Sequence, residues 1–191
     1  MNKLIVFNNI SLDGCFTDAH GDMSWAHGRK KDPEWDAFVQ GNANGGGQLL
    51  FGRVTYDLMA SFWPTPHAAA HNPVVAKSMN AMPKTVFSRT LSKAAWSNTR
   101  LVRRGLIAEV RKMKNVPRGK GIAIFGSGTI VTRLAAENLI DEYQFVIVPV
   151  ILGGGRTLFE GIKTPPELKL TSTRTFKNGN VVVTYKPVAK N

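Results

Sequence analysis

Residues 122–161 read IAIFGSGTIVTRLAAENLIDEYQFVIVPVILGGGRTLFEG, and the rest of the chain can be interpreted around them. An apolar segment ends at Phe125, a GSGT turn follows at 126–129, and apolar residues then recur at helical spacing. This order predicts a strand, a glycine turn, a helix, a second strand and a triple-glycine turn. Because the first amides of a helix have no partners within it and the helix dipole is positive there, such a turn binds phosphate well. We therefore interpret residues 126–129 as a phosphate site for a nucleotide cofactor.

The turn matches the Rossmann dinucleotide fingerprint only in part. Val131 stands where the third glycine would be, and no acidic residue ends the next strand to bind a ribose. The turn also follows several predicted strands, whereas a Rossmann fold would begin with it. From these residues alone, a phosphate site in another fold and a purely structural turn both remain open.

Length and composition limit the class of protein. The chain has 191 residues, which is enough for a sizeable core, and we expect a single domain over 1–191. Its one cysteine, Cys15, excludes a disulfide framework and a multi-cysteine metal site. The longest apolar run, 145–152, is short and contains Pro149, so no membrane span is predicted. The first residues lack a secretory signal, and we expect a cytoplasmic protein.

The only paired histidines do not indicate a metal site. His67 and His71 are four residues apart, but no acid or third histidine lies near them. Prolines frame the stretch 64–73, which we predict to be a loop. We therefore expect no metal.

The net charge of +12 is concentrated in one region. Residues 84–120 carry eleven basic side chains against Glu109 alone. A solvated basic face, an anionic ligand attracted to this side and nucleic acid are all compatible with that concentration. Only Phe87 and Trp96 are interleaved with the basic residues, which is too few aromatics to favour nucleic acid.

Strands and helices alternate along most of the chain. The pattern predicts strands at 3–10, 48–51, 84–87, 100–102, 167–176 and 181–186, and helices after Asp32, after Gly52, near 73–80 and at 106–114. A polar loop is expected from residue 11 to about 31. Asp32 and Glu34 suit a helix start around Pro33, and the KNGN stretch at 177–180 suits a hairpin turn. The pattern predicts an α/β protein with a mostly parallel sheet between helices, ending in an antiparallel hairpin.

Six short motifs occur in a characteristic order along the chain. They are SLDG (11–14), GRVT (52–55), SR (88–89), GSGT (126–129), LIDE (139–142) and LGGG (152–155). Together they resemble the dihydrofolate reductase fold, and most closely the stand-alone relatives of the reductase domain of the riboflavin-pathway deaminase-reductase. The resemblance covers residues 3 to about 186. It implies a three-layer α/β sandwich in which the strand ends hold NADPH.

The resemblance also implies which residues meet the cofactor. They are Asn9, Ile10, Gly52, Arg53, Thr55, Ser88, Arg89, Gly126, Ser127, Gly128, Thr129, Leu152, Gly153 and Gly154. Residues 52–55 and 126–129 would bind the pyrophosphate, whereas Asn9 and Ile10 would border the nicotinamide. Ser88 and Arg89 would hold the adenosine 2′-phosphate. Because a 2′-phosphate favours arginine with a hydroxyl donor and Arg89 lies in the basic region, NADPH is preferred to NADH.

The substrate side is less closely matched. Ser24, Trp25, Phe62 and Phe125 are expected near the substrate, although the aromatic rings could equally belong to the core. Phe125 stands where the riboflavin-pathway reductase has a glutamate that contacts its substrate. Asp13 is the candidate catalytic carboxylate, and holding its own turn is the alternative role.

The residues and the resemblance together predict an NADPH-dependent reductase that transfers hydride to a C=N or C=O bond. Its substrate would be a small heterocycle, as for 5-amino-6-(5-phosphoribosylamino)uracil reductase or dihydrofolate reductase. A homodimer is expected. The alternatives are a basic protein that binds nucleic acid or nucleotides, and a cofactor-binding sensor with little turnover.

Overall fold

A computed structural model describes residues 1–27 and 30–188. Its strands are β1 (Leu4–Ser11), β2 (Cys15–Thr17), β3 (Gln48–Gly52), β4 (Lys84–Phe87), β5 (Thr99–Val102), β6 (Ile122–Phe125), β7 (Glu142–Val148), β8 (Arg156–Thr157), β9 (Leu168–Thr175) and β10 (Val181–Pro187). Its helices are α1 (Pro33–Asn44), α2 (Arg53–Phe62), α3 (Pro66–His71), α4 (Pro73–Ala81), α5 (Leu106–Lys114) and α6 (Gly128–Ala136), with a short 3-10 helix at Ser24–Ala26. No helix in the described ranges is long and apolar enough to cross a membrane.

Eight strands form one sheet in the order β5-β4-β3-β6-β1-β7-β10-β9. The first six run parallel, whereas β10 pairs antiparallel with both β7 and β9. The predicted α/β class, with a mostly parallel sheet and an antiparallel hairpin at its end, is therefore confirmed. The carboxyl ends of all six parallel strands lie at the same edge of the sheet.

Helices cover both faces of this sheet because strand side chains alternate in direction. Leu50 of β3 packs in one core cluster with Val110 of α5 and Leu134 of α6. Its neighbour Leu49 packs in a second cluster with Met79 of α4. The result is a layer of helices on each side of the sheet, as in a three-layer sandwich.

Within the stretch 64–73, residues Pro66–His71 form the helix α3, so the prediction of a loop was wrong for these residues. Pro66 occupies the first position of α3, where a missing amide costs nothing, and the Thr65 hydroxyl accepts a hydrogen bond from the Ala68 amide. The prolines therefore start helices instead of breaking one. His67 and His71 stack with ring centroids 4.1 Å apart, and the described residues contain no cluster of three or more metal-ligand side chains.

One strand of a small second sheet, β2, lies inside the segment predicted as a polar loop. β2 pairs antiparallel with β8, which follows the triple-glycine turn some 140 residues later in the chain. Each strand is too short to show a hydrophobic period, so local pattern could not reveal the pairing. Residues 28 and 29 of the same segment lie outside the described residues.

Candidate functional site

Three strand-to-helix and strand-to-loop junctions lie side by side at the carboxyl edge of the sheet. Gly52 at the end of β3 is in register with Phe87 at the end of β4, and β6 pairs with β3 on its other side. The motifs at 52–55, 88–89 and 126–129 are thereby brought together. In open α/β sheets, ligands bind at this edge.

The hydroxyl of Ser127 connects two of these junctions directly. The amide of Gly52 donates a hydrogen bond to Ser127 Oγ at 2.7 Å. Ser127 Oγ in turn donates to Thr55 Oγ1 at 3.1 Å. Ser127 adopts a left-handed conformation with φ of 62°. Gly126 has no room for a side chain, because an added Cβ would lie 2.7 Å from Thr55 Oγ1. The starts of α2 and α6 are therefore in contact.

Neither of these two helix starts has a side-chain cap among the described residues. The backbone amides of the first turn of α2, and those of Gly128 and Thr129 in α6, are consequently available to an anion. The next amide of α6, that of Ile130, bonds to the Ser127 carbonyl at 2.8 Å. Beneath them, the Oδ1 atom of Asn8 accepts a hydrogen bond from the Gly126 amide at 2.6 Å. Asn8 is buried, and its Nδ2 atom has no partner within the described residues. Asn8 could not be predicted from the sequence, because a polar residue inside an apolar strand gives no sign of its partner.

Ser88 and Arg89 form the third junction. Ser88 Oγ accepts hydrogen bonds from the amides of Thr90 and Leu91 at 3.2 and 2.9 Å, so this hydroxyl shapes the turn. The Arg89 side chain is exposed, and its carbonyl accepts a hydrogen bond from Arg103. The turn is therefore stabilised by hydrogen bonds to Ser88 Oγ, and it leaves the Arg89 side chain exposed.

Arg53 lies at the first position of α2 and is exposed. Its guanidinium pairs with Asp57, one turn later in the helix, at 3.0 Å. An exposed pair of this kind is weak, so it leaves Arg53 able to exchange partners.

The carboxylate of Asp13 links two loops. Asp13 Oδ1 accepts hydrogen bonds from Ser11 Oγ at 2.6 Å and from the Leu152 amide at 3.2 Å, and Oδ2 accepts one from the Gly153 amide at 2.8 Å. These donors, with Ser11 contributing most, hold the pKa of Asp13 below its ordinary value. A carboxylate held ionised in this way is a poor proton donor at neutral pH. Its observed contacts extend beyond its own turn to the triple-glycine turn.

Gly153 and Gly154 are the first two glycines of that turn. Gly153 has a φ of 71°, which favours glycine, and both Gly153 and Gly154 face open space where a side chain would point. Both are exposed. Their backbone is therefore accessible from the carboxyl edge.

Asn9 and Ile10 lie on β1, opposite Val146 and Ile147 of β7. Ile10 packs against the core that contains α5 and α6 residues, and Asn9 is half-buried on the other face. Both residues are close to the carboxyl end of their strand, between β6 and β7.

Trp25 and Phe125 belong to one aromatic region. Phe7 packs on Phe125 with ring centroids 5.6 Å apart, and Phe7 and Trp25 pack against the same core cluster. Trp25 Nε1 donates to the Asp22 carbonyl at 3.1 Å, and the Ser24 hydroxyl donates to the Asp22 carboxylate. The loop that carries Ser24 and Trp25 is therefore fixed by Asp22.

Phe62 contacts a different set of aromatic rings. It is the last residue of α2, and its ring packs on Trp63 with centroids 5.0 Å apart and on His67 at 6.2 Å. Trp63 and Phe125 pack against the same core cluster, so Phe62 is linked to Phe125 through Trp63.

A shallow cavity of about 140 Å³ lies between α6 and β8. Its lining residues are Gly128, Thr129, Thr132, Arg133, Arg156, Thr157 and Glu160. Gly128 and Thr129 were predicted from the sequence, whereas Arg133 of α6 and Arg156 of β8 were not.

Several side chains of the basic region at 84–120 bond to other parts of the protein. Lys84, Arg100, Arg103, Arg111 and Lys114 bond to backbone carbonyls or to carboxylates. Lys84 is buried, its ammonium donates to three carbonyls, and burial lowers its pKa to about 8. Lys84 and Lys114 are therefore enclosed by the fold, whereas the side chains of Arg100 and Arg111 stay 52% and 58% exposed in surface ion pairs.

Comparison with known proteins identifies the family. The RibD C-terminal domain family matches residues 2–182. The chain belongs to the RibD C-terminal domain family. This RibD C-terminal domain protein is 30% identical over 183 residues to "Uncharacterized protein YyaP" of Bacillus subtilis (strain 168), covering 96% of this chain and 94% of YyaP.

Solved structures share the fold of this RibD C-terminal domain protein. A structure named "Putative riboflavin biosynthesis protein" from Shewanella sp. PV-4 has a TM-score of 0.75 at 23% identity, covering 98% of this chain and 99% of that one. Dihydrofolate reductase from Enterococcus faecalis, complexed with NADP(H), has a TM-score of 0.61 at 13% identity, covering 98% and 97%. The predicted dihydrofolate reductase-like fold and riboflavin-reductase relationship are confirmed, and the family supports a reductase-like function.

Proposed function

We propose that this protein is an NADPH-dependent reductase that transfers hydride to a C=N or C=O bond of a small heterocyclic substrate. One observation carries the proposal: two uncapped helix starts and the Ser88–Arg89 turn meet at the carboxyl edge of the sheet. When bound, NADPH supplies the hydride. The protein positions the reactants and excludes water.

The residues of the edge suit this cofactor chemically. The amides at the starts of α2 and α6 would bind the two phosphoryl groups, and Gly126 allows the two helix starts to pack closely because a Cβ there would meet Thr55. The exposed guanidinium of Arg89 would bind the 2′-phosphate that distinguishes NADPH from NADH. The buried Nδ2 of Asn8, which has no partner in the part of the chain that the structure describes, offers a further donor beneath the same turn.

On the nicotinamide side, we propose that Asn9, Ile10 and residues 152–154 border the ring. Asp13 would act by holding the 152–154 turn in place, and water would supply the proton. Ser24, Trp25 and Phe125 would face the substrate, with Phe62 as a more distant contributor. Because Phe125 is apolar, the pocket suits a flat ring more than a charged group.

A thermal-shift measurement with NADPH, NADH and NAD⁺ against buffer tests the cofactor. We expect the melting temperature to rise most with NADPH, because a ligand that binds only the folded state stabilises it. No rise with any of the three would overturn the proposal. Oxidation of NADPH, followed at 340 nm with candidate pyrimidine and pterin acceptors, then separates a reductase from a cofactor-binding sensor.

The proposal includes the assembly and location implied by the sequence. We propose that residues 1–191 form a single domain, that the protein acts in the cytoplasm, and that it pairs as a homodimer. Light scattering at micromolar concentration measures the molar mass in solution. The mass of a single chain would contradict the homodimer.

A further inference from the structure

The Ser127 hydroxyl makes its hydrogen bonds within the protein. It accepts the hydrogen bond from the Gly52 amide and lies within donor reach of Thr55 Oγ1 at 3.1 Å and of the Phe125 carbonyl at 3.3 Å. A hydroxyl has one proton to donate, and both possible acceptors belong to the protein. Ser127 therefore uses its side chain to bind α2 to α6, and the hydroxyl is not free to donate to a ligand.

The backbone at this position would be relaxed by glycine. Ser127 has φ of 62° and ψ of 56°, and glycines stand on both sides of it. A side chain in the left-handed region is strained, because its Cβ lies too close to the following carbonyl oxygen. The hydrogen bonds of the hydroxyl offset that strain. This indicates that Ser127 contributes to the structure by linking the two helices.

The same network accounts for two of the neighbouring glycines. A Cβ on Gly52 would lie 3.1 Å from Ser127 Oγ, and a Cβ on Gly126 would lie 2.7 Å from Thr55 Oγ1. The two helix starts are therefore packed closely around the Ser127–Thr55 pair, which leaves little room for a side chain at either glycine. Their separation is fixed by this contact and by the adjacent strands β3 and β6.

We propose that Ser127 is a positioning residue that sets the spacing of the two helix starts for a diphosphate without touching it. This inference rests on the proposed cofactor site. A diphosphate presents two linked phosphoryl groups, and binding both at once requires two donor sets at one fixed separation. A ligand with a single phosphate at this edge needs only one helix start, so the link should matter little to it.

The test compares Ser127→Gly and Ser127→Ala with the matched control Ser61→Ala. Among the described residues, the Ser61 hydroxyl bonds only within α2, to the Leu58 carbonyl. Affinities are measured calorimetrically for NADPH, which contains a diphosphate, and for adenosine 2′,5′-bisphosphate, which does not. Ser127→Gly keeps the left-handed backbone available, so it tests the hydroxyl without strain.

We expect both Ser127 variants to bind NADPH about tenfold more weakly, while their affinity for adenosine 2′,5′-bisphosphate changes less than twofold. KM for NADPH should rise and kcat should stay constant, and Ser61→Ala should resemble the wild type. Unchanged NADPH affinity, or equal losses for both ligands, would overturn the inference and leave the cofactor proposal intact. Failure of the wild-type protein to bind NADPH would instead refute the proposed function.

Discussion

The Asp13 carboxylate lies 2.8 Å from the backbone amide of Gly153, so that one side chain joins loops 140 residues apart in sequence. The Leu12 amide adds a second link, donating to the Val150 carbonyl at 2.8 Å. The two loops flank the carboxyl end of β1, where the nicotinamide is proposed to bind. Asp13 thus connects the sequence motif SLDG to the motif LGGG.

Replacing Asp13 with Asn should loosen the triple-glycine turn. The carboxylate accepts from the amides of Leu152 and Gly153 on different oxygens, and an asparagine has only one oxygen to offer. We expect faster amide hydrogen exchange at 152–154 and several-fold weaker NADPH binding, measured by mass spectrometry and calorimetry. The control is Asp36→Asn, on the exposed face of α1.

The same variant separates two roles for Asp13. A positioning role predicts that Asp13→Asn leaves the shape of the pH–rate profile unchanged above pH 5, because the pKa of Asp13 is already below its ordinary value. The loss of an ionisation from that profile would instead indicate that Asp13 donates the proton.

Arg89→Ala should discriminate between the two nicotinamide cofactors. The Arg89 guanidinium is exposed beside the Ser88 turn, and a 2′-phosphate would pair with it through charge-assisted hydrogen bonds. We expect the dissociation constant for NADPH to rise about tenfold, with that for NADH changing less than twofold. Arg104→Ala, exposed in the same basic region, is the control. Equal losses for both cofactors would remove the argument for NADPH.

Local signals were sufficient for most of the fold. The strands at 48–51 and 84–87 and the helix at 106–114 were predicted nearly to the residue, since apolar periodicity, caps and glycine breaks act over a few residues. The strand-end motifs could be placed together because parallel strands share one carboxyl edge. Those parts of the site follow from short-range rules and sheet geometry.

What could not be predicted depends on contacts that are distant in sequence. The pairing of β2 with β8, the bond from Gly126 to Asn8 and the bond from Gly52 to Ser127 all join separate segments. A serine between two glycines shows no preference for such a partner. The helix at 66–71 was missed for a different reason, since prolines mark both loops and helix starts.

Asp32→Ala should destabilise the protein by about 2 kcal/mol. Asp32 Oδ1 caps α1 by accepting from the amides of Glu34 and Trp35, while Oδ2 accepts from the Asn178 amide in the β9–β10 turn. The side chain is buried, so its loss leaves these amides unsatisfied. Urea unfolding measures the change, with Asp36→Ala in the same first turn as the control. Equal effects of the two substitutions would contradict this role.

The Asp32 contribution should also depend on pH. Burial opposes ionisation, but the amides of Asn178, Trp35 and Glu34 outweigh it and hold the pKa of Asp32 below its ordinary value. A carboxyl with a depressed folded-state pKa adds stability above its unfolded pKa, which is lost as the pH falls through the folded value. The difference between wild type and Asp32→Ala should therefore shrink below about pH 4.

Tyr143 should make the protein sensitive to alkaline conditions. Its side chain is buried, beside an apolar cavity of about 200 Å³, and burial raises its pKa to about 12. The phenol ionises near pH 10 in the unfolded chain, so between about pH 10 and 12 the unfolded state loses a proton that the folded state keeps. The free energy of unfolding should fall through that window. Tyr143→Phe removes the ionisable group, and urea midpoints at pH 9.5 and 11.5 should then differ less than in the wild type.

The natural control for this prediction is the residue opposite Tyr143 in the sheet. Tyr185 on β10 is in register with Tyr143 on β7 but is only half-buried. Tyr185→Phe removes a phenol from the same pair of strands while leaving the buried one in place. The variant should therefore keep the alkaline loss of stability that Tyr143→Phe reduces. If Tyr185→Phe reduced it equally, burial of Tyr143 would not be its cause.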